Sequence, residues 1–241
     1  MSLKKIWFCL LVLFFCHINS NPALAFEDTN FVTLEDSLNS MEIQSIVVTG
    51  RRLMEDQSKV IGNVGQILEE EIDRISHSHI SQVTDRVPGV WLSRGNGQEL
   101  LASVRSPVFT GAGSCAEVLI TEDGLPIRPT GMCNVNQLFE VNTEQASGLE
   151  IWRGPGTVFY GSNAMHGVIN TLSPKVRNNA ISAQLGSNDY RRIKIRLKNK
   201  DPLNSLQFAA NGVSDGGFKD NSGFDQQKIS IKHGWVNNHI S

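Results

Sequence analysis

The most regular hydrophobic pattern of the chain lies in its last third. In residues 191–198, RRIKIRLK, the apolar residues Ile193, Ile195 and Leu197 alternate with basic ones, and a period of two is the spacing of a β-strand. Strand character extends over segments of eight to twelve residues at 180–187, 189–199, 203–213 and 225–236. Strands of about ten residues cross membranes in β-barrels, with apolar side chains toward lipid and polar ones toward the interior. The pattern therefore predicts part of a barrel wall.

The basic residues of the same segment allow a second interpretation, a stripe that binds nucleic acid. Six of the ten residues from 191 to 200 are basic, although the whole chain of 241 residues carries a net charge of −2. The alternation collects the charges on one face of a strand, and the overall charge gives no sign of a polyanionic partner. The barrel wall is therefore favoured, and no nucleic-acid partner is expected.

Shorter and more varied elements are predicted between residues 60 and 173. GQILEEEIDRIS has helical spacing, and its apolar positions share one face: Ile67, Leu68, Ile72 and Ile75. HISQVTDRVPGV predicts a second helix, with Ser81 as candidate cap and Pro88-Gly89 as its end. Strands are predicted at 90–93, 101–105, 116–120, 148–152 and 168–170, and a short helical region at 134–148.

The first 25 residues predict a secretory signal peptide. Lys4 and Lys5 precede an apolar segment at residues 6–18, and an Ala-Leu-Ala sequence ends at Ala25. The alternative, a transmembrane anchor, is disfavoured because the apolar segment spans too little of a hydrocarbon core about 30 Å thick. Export of the mature chain is therefore expected.

The segments after the signal peptide predict little independent structure. Residues 26–45 are acidic and weakly patterned, which indicates a flexible leader. IVVTGRR, residues 46–52, is a short β-branched run. On its own it fits either an edge strand or a peptide with which another protein pairs by strand addition.

Two cysteines remain after removal of the signal peptide. Cys115 and Cys133 are separated by seventeen residues, and an exported chain with one such pair favours a disulfide. A loop of that size would stabilise the fold by roughly 3 kcal/mol in the chain-entropy model. Metal ligation is the alternative interpretation, but no histidine or acid lies at short ligand spacing from both cysteines.

Candidate catalytic chemistry is sparse. His77 and His79 lie two residues apart and His166 follows Met165, and packed or solvated histidines are expected there rather than metal ligands. The acidic run at 69–71 fits a solvated helix face. No acid–base pair, catalytic residue, metal site or cofactor is predicted, so the chain is not expected to be an enzyme.

The stretch EIWRGPGTVFYGSNAMHGVIN, residues 150–170, predicts a strand, a tight turn, one helical turn and a second strand. Pro155 fixes φ while Gly154 and Gly156 permit positive φ. Ala164 and Gly167 allow close approach of the backbone to its surroundings. The stretch therefore predicts a compact structural core without a reaction site.

This stretch resembles the C-terminal signature of the plug domain of TonB-dependent outer-membrane receptors. Further segments resemble motifs of that family in the same order: IVVTGRR at 46–52 the TonB box, VTDRVPGV at 83–90 the first plug helix and turn, LASVRS at 101–106 and VLITEDGLPI at 118–127 two plug strands. Ser106 and His166 stand where the family mostly has glycine, so ordinary backbone conformations are expected at both.

The resemblance implies a fold and a division of the chain. Residues 53–174 would form an α+β plug domain, a small mixed sheet with short helices. Residues 175–241 would form the first antiparallel strands of an incomplete transmembrane β-barrel. Residues 1–25 would be the signal peptide, 26–45 a flexible periplasmic leader, and 46–52 the TonB box-like segment.

The resemblance also implies roles for individual residues. The energy-coupling protein TonB would bind Ile46, Val47, Val48, Thr49 and Gly50. Arg105 and Arg153 would contact glutamates of the barrel wall and hold the plug in the lumen. The plug signature would comprise Gly154, Pro155, Tyr160, Gly161, Gly167 and Asn170. A Cys115–Cys133 disulfide would staple an apical loop, and the loops at 94–98, 107–114 and 126–133 would be candidates to meet substrate.

The function implied by the resemblance is gated, energised uptake of a scarce nutrient such as a ferric siderophore, cobalamin or a carbohydrate. The protein would lie in the outer membrane of a Gram-negative bacterium, with the plug facing the periplasm, and its partners would be TonB, outer-membrane lipid and a small nutrient ligand. Plugged transporters have 22 strands, so a fragment or a truncated reading frame is expected. The alternative is a free-standing periplasmic binding or interaction module without transport activity.

Overall fold

Two sheets of different construction make up the part of the chain that the structure describes. The computed structural model describes residues 47–48, 55–56, 62–108, 117–128, 137–156, 160–161, 163–199 and 204–235. Within these residues, a five-stranded mixed sheet precedes a four-stranded antiparallel sheet along the chain. This order agrees with the α+β fold and following antiparallel strands expected from the sequence.

The five-stranded sheet forms the centre of the mixed-sheet domain, residues 62–176. Its strands are β3 (Val64–Leu68), β6 (Val118–Glu122), β7 (Leu125–Pro126), β8 (Gly148–Arg153) and β9 (Gly167–Leu172). The spatial order is β3-β8-β9-β6-β7, in which β6 and β9 are parallel and the other pairs antiparallel. β8 and β9 lie inside the sheet, and for this reason nearly all of their residues are buried.

Both faces of the five-stranded sheet are covered. Alternate residues of β8 and β9, such as Ile151 and Ile169, join a large core with the helices. Their neighbours Trp152 and Val168 face a second, smaller core that includes Tyr160. Because successive side chains of a strand point to opposite faces, the two strands supply both cores at once.

Short helices and a hairpin cover the larger core. The helices are α1 (Glu69–Ile75), α2 (Ser81–Thr84), α3 (Gln137–Glu140) and a 3-10 turn (Thr143–Gln145). The hairpin pairs β4 (Val90–Arg94) with β5 (Leu100–Val104). The strands predicted near 90, 101, 116, 148 and 168 are thereby confirmed, with boundaries shifted by one or two residues.

Two details of the predicted helices are wrong. Residues 64–68 form β3, although the apolar spacing of this region predicted a helix beginning near Gly65. Pairing with β8 satisfies their backbone groups along five residue pairs and buries Ile67, while Leu68 is 50% exposed. Ser81 is the first residue of α2 rather than its cap, a position that Ile80 occupies.

The four-stranded sheet is an antiparallel meander. It consists of β10 (Ala180–Leu185), β11 (Arg191–Lys198), β12 (Asn204–Asp215) and β13 (Phe224–Trp235), paired in chain order. All four strands predicted from residue 180 onward are thus confirmed. Their outward face is apolar over its whole width: Ile181, Leu185, Ile193, Leu197, Leu206, Ile229 and Ile231 are each at least 42% exposed.

The remaining described elements are small. β1 (Val47–Val48) pairs antiparallel with β2 (Glu55–Asp56) over two residues. Across the described ranges, no helix is long and apolar enough to cross a membrane.

Candidate functional site

The inward face of the four-stranded sheet is basic and contacts the mixed-sheet domain. Arg192 and Lys194 are only 2% and 9% exposed, whereas Ile193 and Leu197, which point the other way, are each 42% exposed. The alternation predicted for β11 is therefore confirmed. Its charges contact the same chain, which agrees with the preference for a barrel wall over a nucleic-acid stripe.

Arg192 binds the end of helix α1. Its Nη1 donates to the carbonyl oxygen of Ser76 at 3.0 Å, and its Nη2 donates to the carbonyl of His77. Ser76 ends the helix in the left-handed conformation, with φ of 48°. The last carbonyls of a helix lack partners within it and carry partial negative charge, so a guanidinium is a suitable ligand for them.

A buried ion pair joins the 3-10 turn to the last described strand. Nζ of Lys228 lies 2.8 Å from Oε1 and 3.0 Å from Oε2 of Glu144. Nζ of Lys194 donates to the backbone carbonyl of Glu144 at 3.2 Å. The side chains of Lys228 and Glu144 are 5% and 3% exposed, so solvent screens this pair very little.

Arg196 makes a third basic contact beside that pair. Its guanidinium is bidentate on Asp73 of α1, with N–O distances of 2.8 and 3.0 Å, and its Nη1 lies 3.6 Å from Glu69. Its Nε donates to the side-chain oxygen of Gln145 at 3.1 Å. The successive inward residues of β11 therefore bind one polar surface of the mixed-sheet domain, formed by α1 and the 3-10 turn.

Asp123 and Lys232 connect the two sheets at another position. Asp123 accepts hydrogen bonds from the backbone and hydroxyl of Ser173 at 2.9 and 2.6 Å, and Lys232 Nζ lies 3.3 Å from its Oδ2. Burial alone would raise the pKa of Asp123, but the bonds from Ser173 and the charge of Lys232 lower it overall. The neighbouring Glu122 has a raised pKa because of burial and then because of the charge of Asp123.

The histidines near α1 are buried, as expected for packed residues. Nε2 of His77 lies 3.2 Å from the hydroxyl of Thr143, and Nδ1 of His79 lies 2.7 Å from that of Ser81. Burial lowers the pKa of His77 well below its ordinary value, and nearby cations lower it further. Burial likewise lowers the pKa of His79 to about 4. Both rings are therefore neutral at pH 7.

No metal centre is formed by the described residues, among which no three His, Cys, Asp or Glu side chains cluster suitably. His166 lies against Glu117 instead, with Nε2 2.7 Å from Oε2. Ser106 and His166 both have negative φ, as expected for positions that carry a side chain. Arg105 next to Ser106 has a φ of 51°.

Arg105 and Arg153 lie close enough for their charges to interact. Nη1 of Arg153 donates to the carbonyl of Pro88 at 2.8 Å, and its Nε is buried without a hydrogen-bond partner. Burial, and then the charge of Arg105, lower the pKa of Arg153. Within the described ranges neither arginine has a carboxylate at ion-pair distance. Their predicted contact with a barrel wall stays a prediction.

The signature stretch forms the turn between β8 and β9. Gly154 and Gly161 have φ of 133° and 74°, and Pro155 is exposed between β8 and the segment that follows. Tyr160 is buried in the smaller core. A Cβ at Gly167 would lie 2.6 Å from the carbonyl oxygen of Trp152, so the close approach expected there exists. The predicted helical turn at 157–160 lies largely outside the described residues.

Asn170, the last signature residue, connects three strands of the five-stranded sheet. Its Oδ1 accepts from the hydroxyl of Thr121 and from the backbone N–H of Gly124, each at 2.8 Å. Its Nδ2 donates to Glu150 at 3.2 Å. Because Asn170 is fully buried, these bonds satisfy an amide that would otherwise be costly to bury.

Several predicted site residues lie outside the described part of the chain. Ile46, Thr49 and Gly50 do so entirely, and of Val47 and Val48 only the backbone pairing with β2 is described. Both cysteines of the predicted disulfide, Cys115 and Cys133, also lie outside it, as does most of two of the three candidate loops. The third, at 94–98, follows β4 on the surface.

The family model described as TonB-dependent Receptor Plug Domain matches residues 56–168. Residues 56–168 are a TonB-dependent receptor plug domain. The match covers the five-stranded sheet up to the start of β9, together with its helices and the β4–β5 hairpin. The mixed-sheet domain is called the plug from here on.

Several solved structures are similar in fold to most of this chain. The pyoverdine outer membrane receptor FpvA from Pseudomonas aeruginosa PAO1 is 14% identical, with a TM-score of 0.60 over 78% of this chain and 27% of that one. The alcaligin receptor FauA from Bordetella pertussis is 17% identical, with a TM-score of 0.56 over 78% and 31%. The copper transporter OprC is 18% identical, with a TM-score of 0.55 over 73% and 28%. At these identities the likeness establishes the fold alone, and the chain spans between about a quarter and a third of the length of each.

The residues that join the plug to the four-stranded sheet were not predicted as a site. The alternation in β11 indicated that its charges share a face, which is the only sequence signal for Arg192, Lys194 and Arg196. Nothing in the sequence indicated that Glu144 and Asp73 would be their partners, because these acids lie roughly 50 and 120 residues away. The predicted plug arginines, by contrast, have no acidic partner in the described residues.

Proposed function

We propose that the chain is the N-terminal part of a TonB-dependent outer-membrane receptor whose plug gates energised uptake of a scarce nutrient. The observation that carries this proposal is the two-faced four-stranded sheet. Its inward face binds the plug through buried cations and its outward face is apolar. That division of polarity suits a wall between lipid and a polar lumen. A free-standing periplasmic module would expose the apolar face to water, which argues against the alternative.

The proposed division of the chain follows from this function. Residues 1–25 direct export, residues 26–45 are a periplasmic leader, and residues 46–52 reach TonB. Residues 53–174 form the plug, and residues 175–241 begin the barrel in the outer membrane of a Gram-negative bacterium. The plug faces the periplasm and acts by movement, without catalysis.

Energy is delivered through residues 46–50 in this proposal. TonB adds a strand to the segment Ile46–Gly50, because main-chain hydrogen bonds give such pairing affinity with little dependence on side chains. The extended backbone of Val47 and Val48 supports this role. Force on the segment then passes to the plug, which is continuous with it in the chain.

Arg105 and Arg153 of the plug are proposed to bind carboxylates on other strands of the barrel wall. Arg153 carries a buried Nε donor without a partner and lies near the charge of Arg105. A carboxylate placed between the two guanidinium groups would satisfy the donor and relieve the repulsion. Barrel glutamates are the partners that the family resemblance suggests.

The cargo is proposed to be a small, scarce nutrient that the outer membrane does not admit freely. Ferric siderophores, cobalamin and carbohydrates are the candidates. The similar structures include receptors for pyoverdine and alcaligin and a copper transporter, so a ferric siderophore is the first candidate to test.

The experiment compares two in-frame deletions in the receptor that contains this chain. Deletion of residues 46–50 is expected to abolish energised uptake of a radiolabelled ferric siderophore while binding to whole cells is retained. The matched control removes five leader residues, 35–39, and is expected to leave uptake unchanged. Unchanged uptake after deletion of 46–50 would refute the coupling role, and a protein recovered only in the soluble periplasmic fraction would favour the free-standing module.

A further inference from the structure

Glu144 occupies an unusual position on the plug surface. It lies in the 3-10 turn Thr143–Gln145, and its side chain is 3% exposed, although glutamate side chains are rarely buried to this extent. Its carboxylate receives Nζ of Lys228 at both oxygens, and its backbone carbonyl receives Nζ of Lys194. Two strands of the four-stranded sheet β10–β13, called the wall from here on, therefore contact one residue of the plug.

The two lysines belong to a single row across the four-stranded sheet. Lys194 lies opposite Asn211, and Asn211 lies opposite Lys228, in the registers of β11, β12 and β13. Opposite residues on one face have Cβ atoms about 5 Å apart, so the row brings two like charges to the two sides of one amide. Asn211 is 2% exposed, and neither its Oδ1 nor its Nδ2 has a hydrogen-bond partner.

This row is not electrostatically satisfied by the wall itself. Two ammonium groups buried beside an unpaired amide would be costly without a counter-charge. In the described strands of the sheet, this row and the two rows beside it contain no acidic residue, and the neighbouring rows add Arg192 and Arg196. The counter-charge comes from the plug, as Glu144.

The neighbouring rows contact the same part of the plug. Arg192 binds the carbonyls that end α1, and Arg196 binds Asp73 of α1. Asn142, two residues before Glu144, donates to the hydroxyl of Ser230, two residues after Lys228, at 3.2 Å. The surface formed by α1 and the 3-10 turn is thus matched to the wall over several consecutive rows.

We infer that Glu144 is the fixed docking point of the plug: Lys228 binds its carboxylate and Lys194 its backbone carbonyl when plug and wall assemble, and this contact stays closed while the plug admits nutrient. The inference rests on the proposed function. It adds that one part of the plug surface, around Glu144, stays bound to the wall while other contacts open. Withdrawal of Glu144 would break its buried ion pair with Lys228 and remove the carbonyl that binds Lys194. Movement of the plug therefore takes place at contacts other than this one.

The docking contact is tested on the 241-residue chain in detergent, without any transport assay. Glu144→Gln keeps the shape of the side chain and removes its charge. It is expected to increase protease cleavage between plug and sheet on the order of a hundredfold, because cleavage follows the population of the opened state. The charge exchange Glu144→Lys with Lys228→Glu is expected to restore much of the protection.

The matched control removes a charge that has no part in docking. Asp189 lies 3.9 Å from Arg191 in the exposed turn between β10 and β11, and Asp189→Asn is expected to leave cleavage unchanged. Cleavage of Glu144→Gln at the parent rate would overturn the recognition of Glu144. Loss of protection without rescue by the exchanged pair would also overturn it.

Persistence of the contact is tested by locking it in the complete receptor. Asn142→Cys and Ser230→Cys are joined by a short thiol linker that a reductant cleaves, with each single cysteine variant as a control. Uptake by the locked receptor is expected to match that of the reduced receptor. A locked receptor that binds nutrient but transports it only after reduction would overturn the inference. An unlocked receptor without energised uptake would instead refute the proposed function, and the protease comparison would still decide the docking contact.

Discussion

Gly167 is a residue of the signature at which the backbone closely approaches its surroundings. A Cβ there would lie 2.6 Å from the carbonyl oxygen of Trp152 and 2.8 Å from Cγ1 of Val104. Both neighbours belong to packed strands, so neither can move without disturbing the core. The sequence indicated a small residue at this position, and the structure identifies the atoms that require it.

Substitution of Gly167 is expected to destabilise the plug. Gly167→Ala should lower the free energy of unfolding by about 1–3 kcal/mol, the usual cost of overpacking a core. Gly212→Ala is the matched control, because a Cβ at Gly212 would meet no atom within 4 Å. Chemical denaturation of both variants provides the measurement, and equal midpoints would contradict the proposed crowding.

The two buried histidines predict that the plug loses stability in mild acid. Both have pKa values below the ordinary 6.5, that of His79 at about 4. The unfolded chain therefore binds protons that the folded chain excludes, and stability falls as the pH decreases through 6.5 toward 4. For His79 the loss at pH 5.5 relative to pH 7.5 is about 1.3 kcal/mol, and His77 adds a loss in the same direction. Urea midpoints at the two pH values measure it.

The double variant His77→Gln with His79→Gln separates this titration from that of the carboxylates. It is expected to be less stable than the parent at pH 7.5 but to lose much less stability between pH 7.5 and pH 5.5. An unchanged pH dependence in the variant would show that other groups control it.

At the scale of elements, β3 illustrates how tertiary pairing overrides a local pattern. Its apolar residues have helical spacing together with those of α1, and the sequence therefore predicted one continuous helix. In the structure β3 pairs with β8, which lies inside the sheet and requires a partner for its backbone groups along that edge. The helix begins only at Glu69.

The alternation of apolar and polar residues in the four-stranded sheet predicted its strands more reliably than the helical spacing predicted α1, because the alternation repeats over adjacent strands.

The apolar outward face of this sheet is suited to lipid, so a charged residue near the middle of a strand is expected to be strongly destabilising. Ile229 is 66% exposed near the centre of β13. Ile229→Arg is expected to cost about 2–4 kcal/mol in a membrane-inserted protein.

The measurement for Ile229 is the free energy of unfolding in lipid vesicles, together with the fraction recovered in the outer membrane. Ile229→Leu is the control and should behave like the parent, since it preserves apolar area. Equal recovery and stability of the arginine variant would indicate that this face does not contact lipid.

At the scale of the whole molecule, export and pairing of the cysteines go together. Cys115 and Cys133 lie in the exported part of the chain as the sequence predicts it, and an oxidising compartment favours their disulfide. Peptide mass analysis without reduction is expected to recover the two cysteines in one linked species from protein that has been exported. Two free thiols, each open to alkylation before reduction, would contradict the pairing.

The plug and the four-stranded sheet are joined by contacts that span most of the described sequence. Arg192 reaches Ser76 and His77, and Lys228 reaches Glu144, across separations of 84 to 116 residues. Such contacts form late in folding, because each closes a long loop. They are also the contacts that convert two separate sheets into one unit.

The sequence by itself determined the element types of the wall, its two-faced character, most plug strands and the family signature. These are properties of neighbouring residues: a period of two, a turn residue or a glycine in a motif. Only the tertiary structure decided that residues 64–68 are a strand and that Glu144 meets Lys228. Those outcomes depend on which distant segments share a sheet or face each other in space, and burial makes the pairing of charges obligatory only once that arrangement exists.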